Sequence, residues 1–435
     1  MKEIRLLSKE LLLILFIINS SYLYCQKKHV EIVIRPNGKE LVTDSVQSAI
    51  DKCAREGGGV VHFSEGVYHS GTLELKNNVI LQFDKGSLLR GSEKYEDYKN
   101  DAFIYGKDVS DFAIQGEGII DGVDCYNPGG EEGFRGPHCI RLINCKNFAL
   151  KEFTIINSAN WAINCRYCSY VSVDSISIRG GHDGLHTRFC DNFRVNGCDF
   201  RTGDDAFAGN DNRDFVVTNC NVNTSCNGFR MGCLNLKVNH CRLWGPGEYI
   251  HKSQKRNNML SAFVHFSPKD ENPELNSGNW LIQNITIENV DHFYMYNYEN
   301  GLWQTGRPVT TIRFEGIKAK GLLSAFYIRG DTLRNFNLYI CNSSFYVREG
   351  TELNSDIFEG VKLFTTSFFT ATNFNKVELQ KVTFGKNGIY PVLNCSSGNS
   401  VVLNKVDFKT GNSSFPYLLE NITVPNSDGT IRKKV

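Results

Sequence analysis

The residues of this chain most suited to chemistry are aspartates that recur at one spacing. Asp183 and Asp205 are 22 residues apart, Asn227 follows Asp205 by 22 residues, and Trp161 precedes Asp183 by 22. Asp204 lies next to Asp205 in a Gly-Asp-Asp sequence. If each unit forms one coil of stacked parallel strands, neighbouring coils lie about 4.8 Å apart and bring Asp183 and Asp205 together. In an extended segment Asp204 points to the opposite side, unless a bend beside the glycine turns it outward too.

Carboxylates packed this closely repel one another, so at least one should bind its proton more tightly than a free aspartate does. Glycoside hydrolysis needs this combination, because a protonated acid serves the leaving oxygen while an ionised partner activates water. The alternative is an Asp/Asn turn ladder, in which these side chains only satisfy backbone groups. Spacing alone leaves both interpretations open.

A repeat of about 22 residues must position these groups. Segments with alternating apolar residues cover 148–155, 171–178, 193–200 and 215–222, and their starts are 23, 22 and 22 residues apart. Alternation with a period of two indicates half-buried strands. The unit is shorter than a propeller blade of roughly 40 to 45 residues and lacks the helical part of a leucine-rich repeat. The pattern predicts an all-β chain that forms a single right-handed parallel β-helix.

We assign residues 30–425 to one β-helix domain and residues 426–435 to a C-terminal tail. Because an open solenoid needs its first coil covered, the helical spacing within 44–56 predicts a short capping helix there. Asp44 and Gln47 have the spacing of a capping box at its start.

The N-terminus, residues 1–25, has the form of a signal peptide: a basic start, an uncharged apolar run over 11–18 and a polar end. This run is shorter than the roughly 20 residues that cross a bilayer, so we expect no membrane span. The chain is predicted to be exported to the periplasm or beyond. Cys25 could carry a lipid anchor instead, although Tyr24 fits that signal poorly.

Charge is balanced, with 48 basic and 47 acidic residues and a net charge of +1. The chain therefore lacks the excess of one charge that would attract nucleic acid or a membrane surface, and neither is an expected partner. We expect a monomer.

The 15 cysteines are interpreted as packing residues. Cys198, Cys220 and Cys241 follow one another at 22 and 21 residues, which predicts an inward-facing stack. Cys165 and Cys168 have CxxC spacing without a second such pair. No His/Cys cluster has ligand spacing, so we predict no metal and no cofactor.

Several motifs resemble one enzyme family, the polygalacturonase-type glycoside hydrolases, which are pectin-degrading right-handed β-helices. The resemblance covers nearly the whole mature chain and is carried by the segments at 46–51, 57–61, 66–68, 116–122, 157–161, 182–184 and 203–205. Among these, His182-Asp-Gly184 and Gly203-Asp-Asp205 are similar to the family's active-site motifs.

The resemblance implies a glycosidase that acts on a pectin-like, uronic-acid-containing polysaccharide or oligosaccharide. By that resemblance Asp204 would be the general acid, and Asp183 with Asp205 would hold and activate the water. Inversion at the anomeric carbon is the implied outcome.

Two departures from the family concern the substrate. The family's active-site histidine is replaced by Asn227, and its Arg-Ile-Lys motif has no clear match in 259–266. Arg230 is the candidate replacement for binding a substrate carboxylate, since a guanidinium can do so in a bidentate manner. Asn227, His182, His186 and Trp161 are further candidates for sugar contacts, the tryptophan by stacking. Solvated or packing roles remain the alternatives, and for Trp303 packing is the preferred one.

Two other functions share the predicted fold. A polysaccharide lyase would hold Ca²⁺ on the aspartates, with Arg230 or a histidine as base. A non-catalytic carbohydrate-binding protein would explain the two departures. The polar segment 252–277 loses the repeat and is predicted to be a long loop; if the enzyme attacks chain ends, this loop is the expected block.

Overall fold

The computed structural model describes residues 30–36, 38, 40–298, 306–349, 356–358, 361–363, 367–385, 392–409 and 417–422. The predicted signal peptide 1–25 with Cys25, the tail 426–435 and Trp303 lie outside these residues. Within the described part, no helix is long and apolar enough to cross a membrane.

Short strands stack in parallel into three sheets, each coil contributing one strand or part of a strand to each sheet. Sheet 1 contains Leu73–Glu74, Ala102–Lys107, His138–Ile143, Ile163–Arg166, Leu185–Arg188, the first parts of Phe207–Thr218 and Asn227–Asn239, Met259–His265, Val290–Asn297, Ser324–Arg329, Phe369–Thr372, Leu393–Ser396 and Tyr417–Glu420.

Sheet 2 follows sheet 1 along each coil. It contains Val30–Ile34, Gly59–Phe63, Val79–Phe83, Ser110–Gly116, Lys146–Lys151, Ser169–Asp174, Asp191–Asn196, the second parts of Phe207–Thr218 and Asn227–Asn239, Trp280–Gln283, Thr311–Glu315, and the first parts of Asn337–Val347, Lys376–Gly385 and Ser400–Lys409.

Sheet 3 closes the coil. It contains Gly66–Ser70, Ser87–Gly91, Ile119–Asp121, Thr154–Ile156, Ser177–Gly180, Asp199–Thr202, Asn221–Thr224, Arg242–Trp244, Thr286–Glu288, Lys318–Leu322 and the second parts of the last three strands of sheet 2. The predicted parallel β-helix is confirmed.

Among the described residues, five short elements and one α-helix lie outside these sheets. Three of the short elements are 3₁₀ turns, Tyr95–Asp97, Glu131–Gly133 and Lys269–Glu271, and the other two form an antiparallel pair, Asp356–Phe358 with Val361–Leu363.

The coil corner between sheets 1 and 2 explains the abundance of asparagine. Equivalent corner positions adopt positive φ, which asparagine and aspartate tolerate better than most residues. One of them is Tyr170, and the others are Asp111, Asn147, Asn192, Asp214, Asn235 and Asn279. Asparagine and aspartate side chains among them bond from coil to coil, as in the 2.7 Å contact from Asn235 Nδ2 to Asp214 Oδ1. An Asp/Asn turn ladder therefore exists at this corner, and one further bond of the same kind joins Asn227 to Asp205 at the 22-residue spacing.

A helix covers the first coil, as predicted, and runs over Thr43–Arg55. Its apolar face buries Val46, Ala49, Ile50 and Cys53 against the end of the solenoid. The predicted capping box is wrong, because the helix start has no side-chain cap. Gln47 instead bonds the backbone of Glu74, accepting from its N–H at 2.8 Å and donating to its carbonyl at 3.1 Å.

The predicted cysteine stack also forms. Cys198, Cys220 and Cys241 each precede an aligned strand of sheet 3 and are buried. All described cysteines, including Cys165 and Cys168, are free thiols, and nearly all are buried. They pack as small apolar side chains along the core.

Candidate active site

The three aspartates converge where sheet 3 turns into sheet 1. Asp183 and Asp205 each lie two residues before a sheet 1 strand, and those strands pair with Leu185 opposite Phe207. One carboxylate oxygen from each of Asp183, Asp204 and Asp205 lies within 4.8 Å of the others. The structure therefore brings together the carboxylates that the spacing predicted.

Asp204 joins the cluster because the chain bends at the Gly-Asp-Asp sequence. Its carbonyl accepts hydrogen bonds from Thr202 Oγ1 at 2.7 Å and Thr224 Oγ1 at 2.5 Å. Asp204 Oδ1 in turn accepts the backbone N–H of Asp205 at 2.9 Å. A Cβ on Gly203 would lie 2.6 Å from the carbonyl oxygen of Ile250, so a glycine is needed for the close approach of that segment.

Cationic and polar groups from distant segments surround Asp204. Arg135 Nη2 lies 3.6 Å and His251 Nε2 lies 3.5 Å from Asp204 Oδ2. His251 Nδ1 accepts the backbone N–H of Gln254 at 3.2 Å, so the proton of the neutral imidazole is on Nε2 and faces Asp204. Both residues were missed from the sequence, since neither lies on the 22-residue repeat.

The three carboxyl groups differ in their affinity for a proton. Burial raises the pKa of Asp183 well above its usual value, and the negative charge of Asp204 adds to this effect. Burial likewise raises the pKa of Asp205 to about 6, against the opposing charge of Arg230. Burial also acts on Asp204, but His251, Arg135 and Arg230 together hold its pKa well below the usual range. The cluster thus holds at least one proton in mildly acidic solution, on Asp183 or Asp205.

Two predicted sugar-contact residues line the cleft beside Asp183. His186 Nδ1 lies 3.0 Å from Asp183 Oδ2. Burial lowers the pKa of His186 to about 4, so its imidazole is neutral at mildly acidic pH. The Trp161 ring stacks on the His186 ring with centroids 3.6 Å apart. The tryptophan therefore fixes the imidazole, and only its remaining surface can meet a sugar.

The other predicted contact residues have different positions. Asn227 is buried and donates from Nδ2 to Asp205 Oδ1 at 2.8 Å. Arg230 Nη1 lies 3.3 Å from Asp205 Oδ2 and its guanidinium stacks over Phe266 at 3.8 Å. His182 is buried with its ring 5.9 Å from that of Phe134, and it is not among the described residues that line the cleft.

Two long loops wall a cleft of about 490 Å³ over the carboxylates. One wall is 245–258, where Lys252 pairs with Asp124 and Ser253 Oγ donates to Glu132 Oε2 at 2.5 Å. The other wall contains Glu271, whose carboxylate lies 2.7 Å from Arg188 Nη1. The predicted loop 252–277 is therefore interrupted by the buried strand Met259–His265, and its two remaining parts both line the cleft.

Arg256 supplies a further cation to the cleft lining. Every partner recorded for it among the described residues is neutral. They are the carbonyls of Ser225 and Asn258, Gln254 Oε1 and Cys226 Sγ. Its charge is thus available to an acidic group of a ligand.

Comparison with known protein families identifies the segment that holds this cluster. Residues 61–238 match the family model of glycosyl hydrolases family 28. The matched segment includes all three aspartates, Asn227 and Arg230. His251 and Arg256 lie beyond its end. No curated protein matches the chain in sequence.

Solved structures share the fold at low sequence identity. The polygalacturonase of Erwinia carotovora ssp. carotovora is 16% identical over 92% of this chain and 98% of that chain, with a TM-score of 0.51. The family 28 exopolygalacturonase of Yersinia enterocolitica is 16% identical over 91% of this chain and 78% of its own, with a TM-score of 0.55. PfbA, a surface adhesin of Streptococcus pneumoniae, is 12% identical over 93% of this chain and 96% of that chain, with a TM-score of 0.57.

Proposed function

We propose that this chain, whose residues 61–238 match the family model of glycosyl hydrolases family 28, is a glycosidase that hydrolyses glycosidic bonds of an acidic, pectin-like polysaccharide. The observation that carries the proposal is the cluster of Asp183, Asp204 and Asp205 within 4.8 Å in a walled cleft. Two similar folds are named polygalacturonases, which supports this substrate class.

In the proposed reaction one carboxyl group protonates the glycosidic oxygen as the bond to the anomeric carbon breaks. A second, ionised carboxylate takes a proton from the water whose oxygen bonds to that carbon. Atoms and charge balance, because the acid gives one proton to the leaving oxygen and the base receives one proton from the water. The three carboxyl groups lie within 4.8 Å of one another, so the charge of each affects the others and they titrate as one unit.

The acidic nature of the substrate is supported by Arg256. This guanidinium lines the cleft with neutral partners, whereas Arg135 and Arg230 already face Asp204 and Asp205. We expect Arg256→Gln to raise KM for a uronate oligosaccharide about tenfold, by loss of one charge-assisted contact. KM for a neutral oligosaccharide should change little, and an equal rise for both would remove the argument for a uronate.

The stereochemical outcome is a separate part of the proposal. Inversion rests on the family resemblance. The nearest carboxylate oxygens lie within 4.8 Å, below the roughly 6.5 to 9.5 Å between carboxyl groups that is usual in inverting enzymes. Proton NMR of the first-formed anomer during hydrolysis distinguishes the two outcomes: the opposite anomer means inversion, and the original anomer means a covalent intermediate on one aspartate.

The deciding experiment is product formation from polygalacturonan, rhamnogalacturonan and mixed pectic oligosaccharides, with and without chelator. We expect new reducing ends without unsaturated products, no effect of chelator, and a loss of about 10²- to 10⁴-fold in Asp204→Asn. Unsaturated, calcium-dependent products would instead identify a lyase. Arg135 and Arg230 argue against that outcome, because they already supply positive charge to the aspartates.

Binding without turnover of any of these glycans would support a non-catalytic protein, a role compatible with a fold that also occurs in a surface adhesin. Export remains part of the proposal and is checked by locating the full chain in cell fractions.

A further inference from the structure

The outer face of sheet 2 carries a second concave surface, on a different sheet from the strands that carry the aspartate cluster. We define the sheet 2 groove by six outward-facing residues on consecutive coils: Arg194, Val216, Lys237, Leu281, Arg313 and Tyr339. Strand pairing aligns each with the next. The groove has a volume of about 750 Å³.

Charge in the sheet 2 groove is arranged periodically. Arg194, Lys237 and Arg313 are exposed and lie two coils apart, with the partly buried Val216 and Leu281 between them. At about 4.8 Å per coil, the cations are spaced by roughly 10 Å along the solenoid axis. Such a row matches a linear polymer with regularly spaced anionic groups.

The residues beside the row are consistent with this interpretation. Tyr339 ends the row, with the Arg313 guanidinium over its ring at 4.0 Å and the Lys376 ammonium at 5.6 Å. Asp214 is the acidic residue in the lining, and its carboxylate accepts the 2.7 Å bond from Asn235. The groove lining therefore has three cations against one anion, with the apolar side chains of Val216 and Leu281 between the cations for sugar rings to cover.

We propose that the sheet 2 groove is a non-catalytic binding site for a linear acidic polysaccharide, which anchors the polymer while the cleft acts on it. The identification of that polymer with the substrate rests on the proposed function. Charge complementarity along a straight row is the argument for a polymeric occupant, since a compact anion would need the cations to converge.

The test compares two triple variants in an Asp204→Asn background, so that the polymer is not digested. The groove variant is Arg194→Gln, Lys237→Gln and Arg313→Gln. The control is Lys107→Gln, Lys146→Gln and Lys318→Gln, which removes three exposed lysines outside the groove. Retention is measured by affinity electrophoresis in gels containing soluble polygalacturonan, with single-stranded DNA as a competitor.

We expect the groove variant to bind polygalacturonan about tenfold more weakly, with a salt-dependent difference, and the control variant to bind as the parent does. Any of three results would overturn the proposal. The groove variant could be retained as strongly as the parent, or both variants could lose retention equally. DNA could also displace the polymer as effectively as a uronate oligosaccharide does.

Catalysis is assayed separately with the same triple changes in the active chain. Turnover of a uronate trisaccharide should stay within about twofold while polymer hydrolysis falls, since a short substrate gains nothing from anchoring. If the chain with an unchanged groove retains the polymer through the groove but the active chain hydrolyses no glycan, the proposed function is contradicted and the binding role of the groove is supported. If the active chain hydrolyses oligosaccharides and the groove variant shows no loss, the groove fails alone.

Discussion

At the scale of single residues, the distribution of protons decides how the cluster works. The resemblance to polygalacturonases assigns the acid role to Asp204. Within the protein, however, Arg135 and His251 favour the anion of Asp204, and burial favours the protonated forms of Asp183 and Asp205. The acid is therefore Asp204 only if substrate binding moves the proton to it.

Leaving-group dependence identifies the acid. A variant without the acid should still cleave an aryl glycoside whose phenol leaves without protonation, while a variant without the base fails on every substrate. We expect one of Asp183→Asn and Asp204→Asn to lose about 10²- to 10⁴-fold on oligosaccharide and far less on the aryl glycoside. If Asp183→Asn keeps its activity on the aryl glycoside, Asp183 is the acid and the assigned roles are reversed. If neither variant keeps this activity, neither residue is the acid.

The same protons set the pH dependence. The pKa of Asp205 is raised to about 6 by burial, and that of Asp183 is also raised, by burial and the Asp204 charge. As pH rises through these values the cluster loses its acidic proton, so kcat/KM should fall on the alkaline side of about pH 6. A pH profile of kcat/KM on oligosaccharide measures this limb. A flat profile between pH 5 and 8 would contradict the assignment.

At the scale of elements, the coils depend on tightly packed inward stacks. Cys220 is 1% exposed between Cys198 and Cys241 in the sheet 3 stack. Cys220→Ser places a hydroxyl in apolar surroundings and should lower the free energy of unfolding by about 1 to 3 kcal/mol.

Thermal unfolding followed by circular dichroism checks this prediction. Cys341→Ser is the matched control, since Cys341 is only half-buried and its replacement should cost less. Equal stability of the two variants would show that the cysteine stack is not a tightly packed part of the core.

At the scale of the whole molecule, the two walls flank the sheet 1 strands and form a half-open cleft over the carboxylates. The pairs of Lys252 with Asp124 and of Glu271 with Arg188 draw both loops back over the sheet 1 strands that carry the site. A long polymer crosses such a cleft less easily than a chain end enters it. We therefore expect attack near chain ends, with mono- or disaccharides as the first products.

Product profiles at low conversion test this expectation. Lys252→Ala with Ser253→Ala should loosen the wall at Asp124 and Glu132 and shift the products toward longer oligosaccharides. Lys255→Ala, on an exposed residue of the same loop, should leave the profile unchanged. A broad ladder of intermediates from the unmodified protein would show internal attack.

The sequence by itself determined the parallel β-helix, the capping helix, the cysteine stack and the meeting of Asp183 with Asp205. Each of these follows from a local period, because residues one coil apart in a solenoid are neighbours in space. The capping box at Asp44 and Gln47 was wrong, since Gln47 found stronger partners on the Glu74 backbone.

Only the tertiary structure decided which groups surround the aspartates. Arg135, His251 and Arg256 reach the cleft from loops outside the repeat, whose paths no period encodes. Their charges and hydrogen bonds, together with burial, set which carboxyl group keeps a proton, because electrostatic interactions depend on distance and on exclusion of water. The meeting of Asp183 with Asp205 was thus predictable from spacing, while the protonation of these carboxyl groups depended on contacts made across the fold.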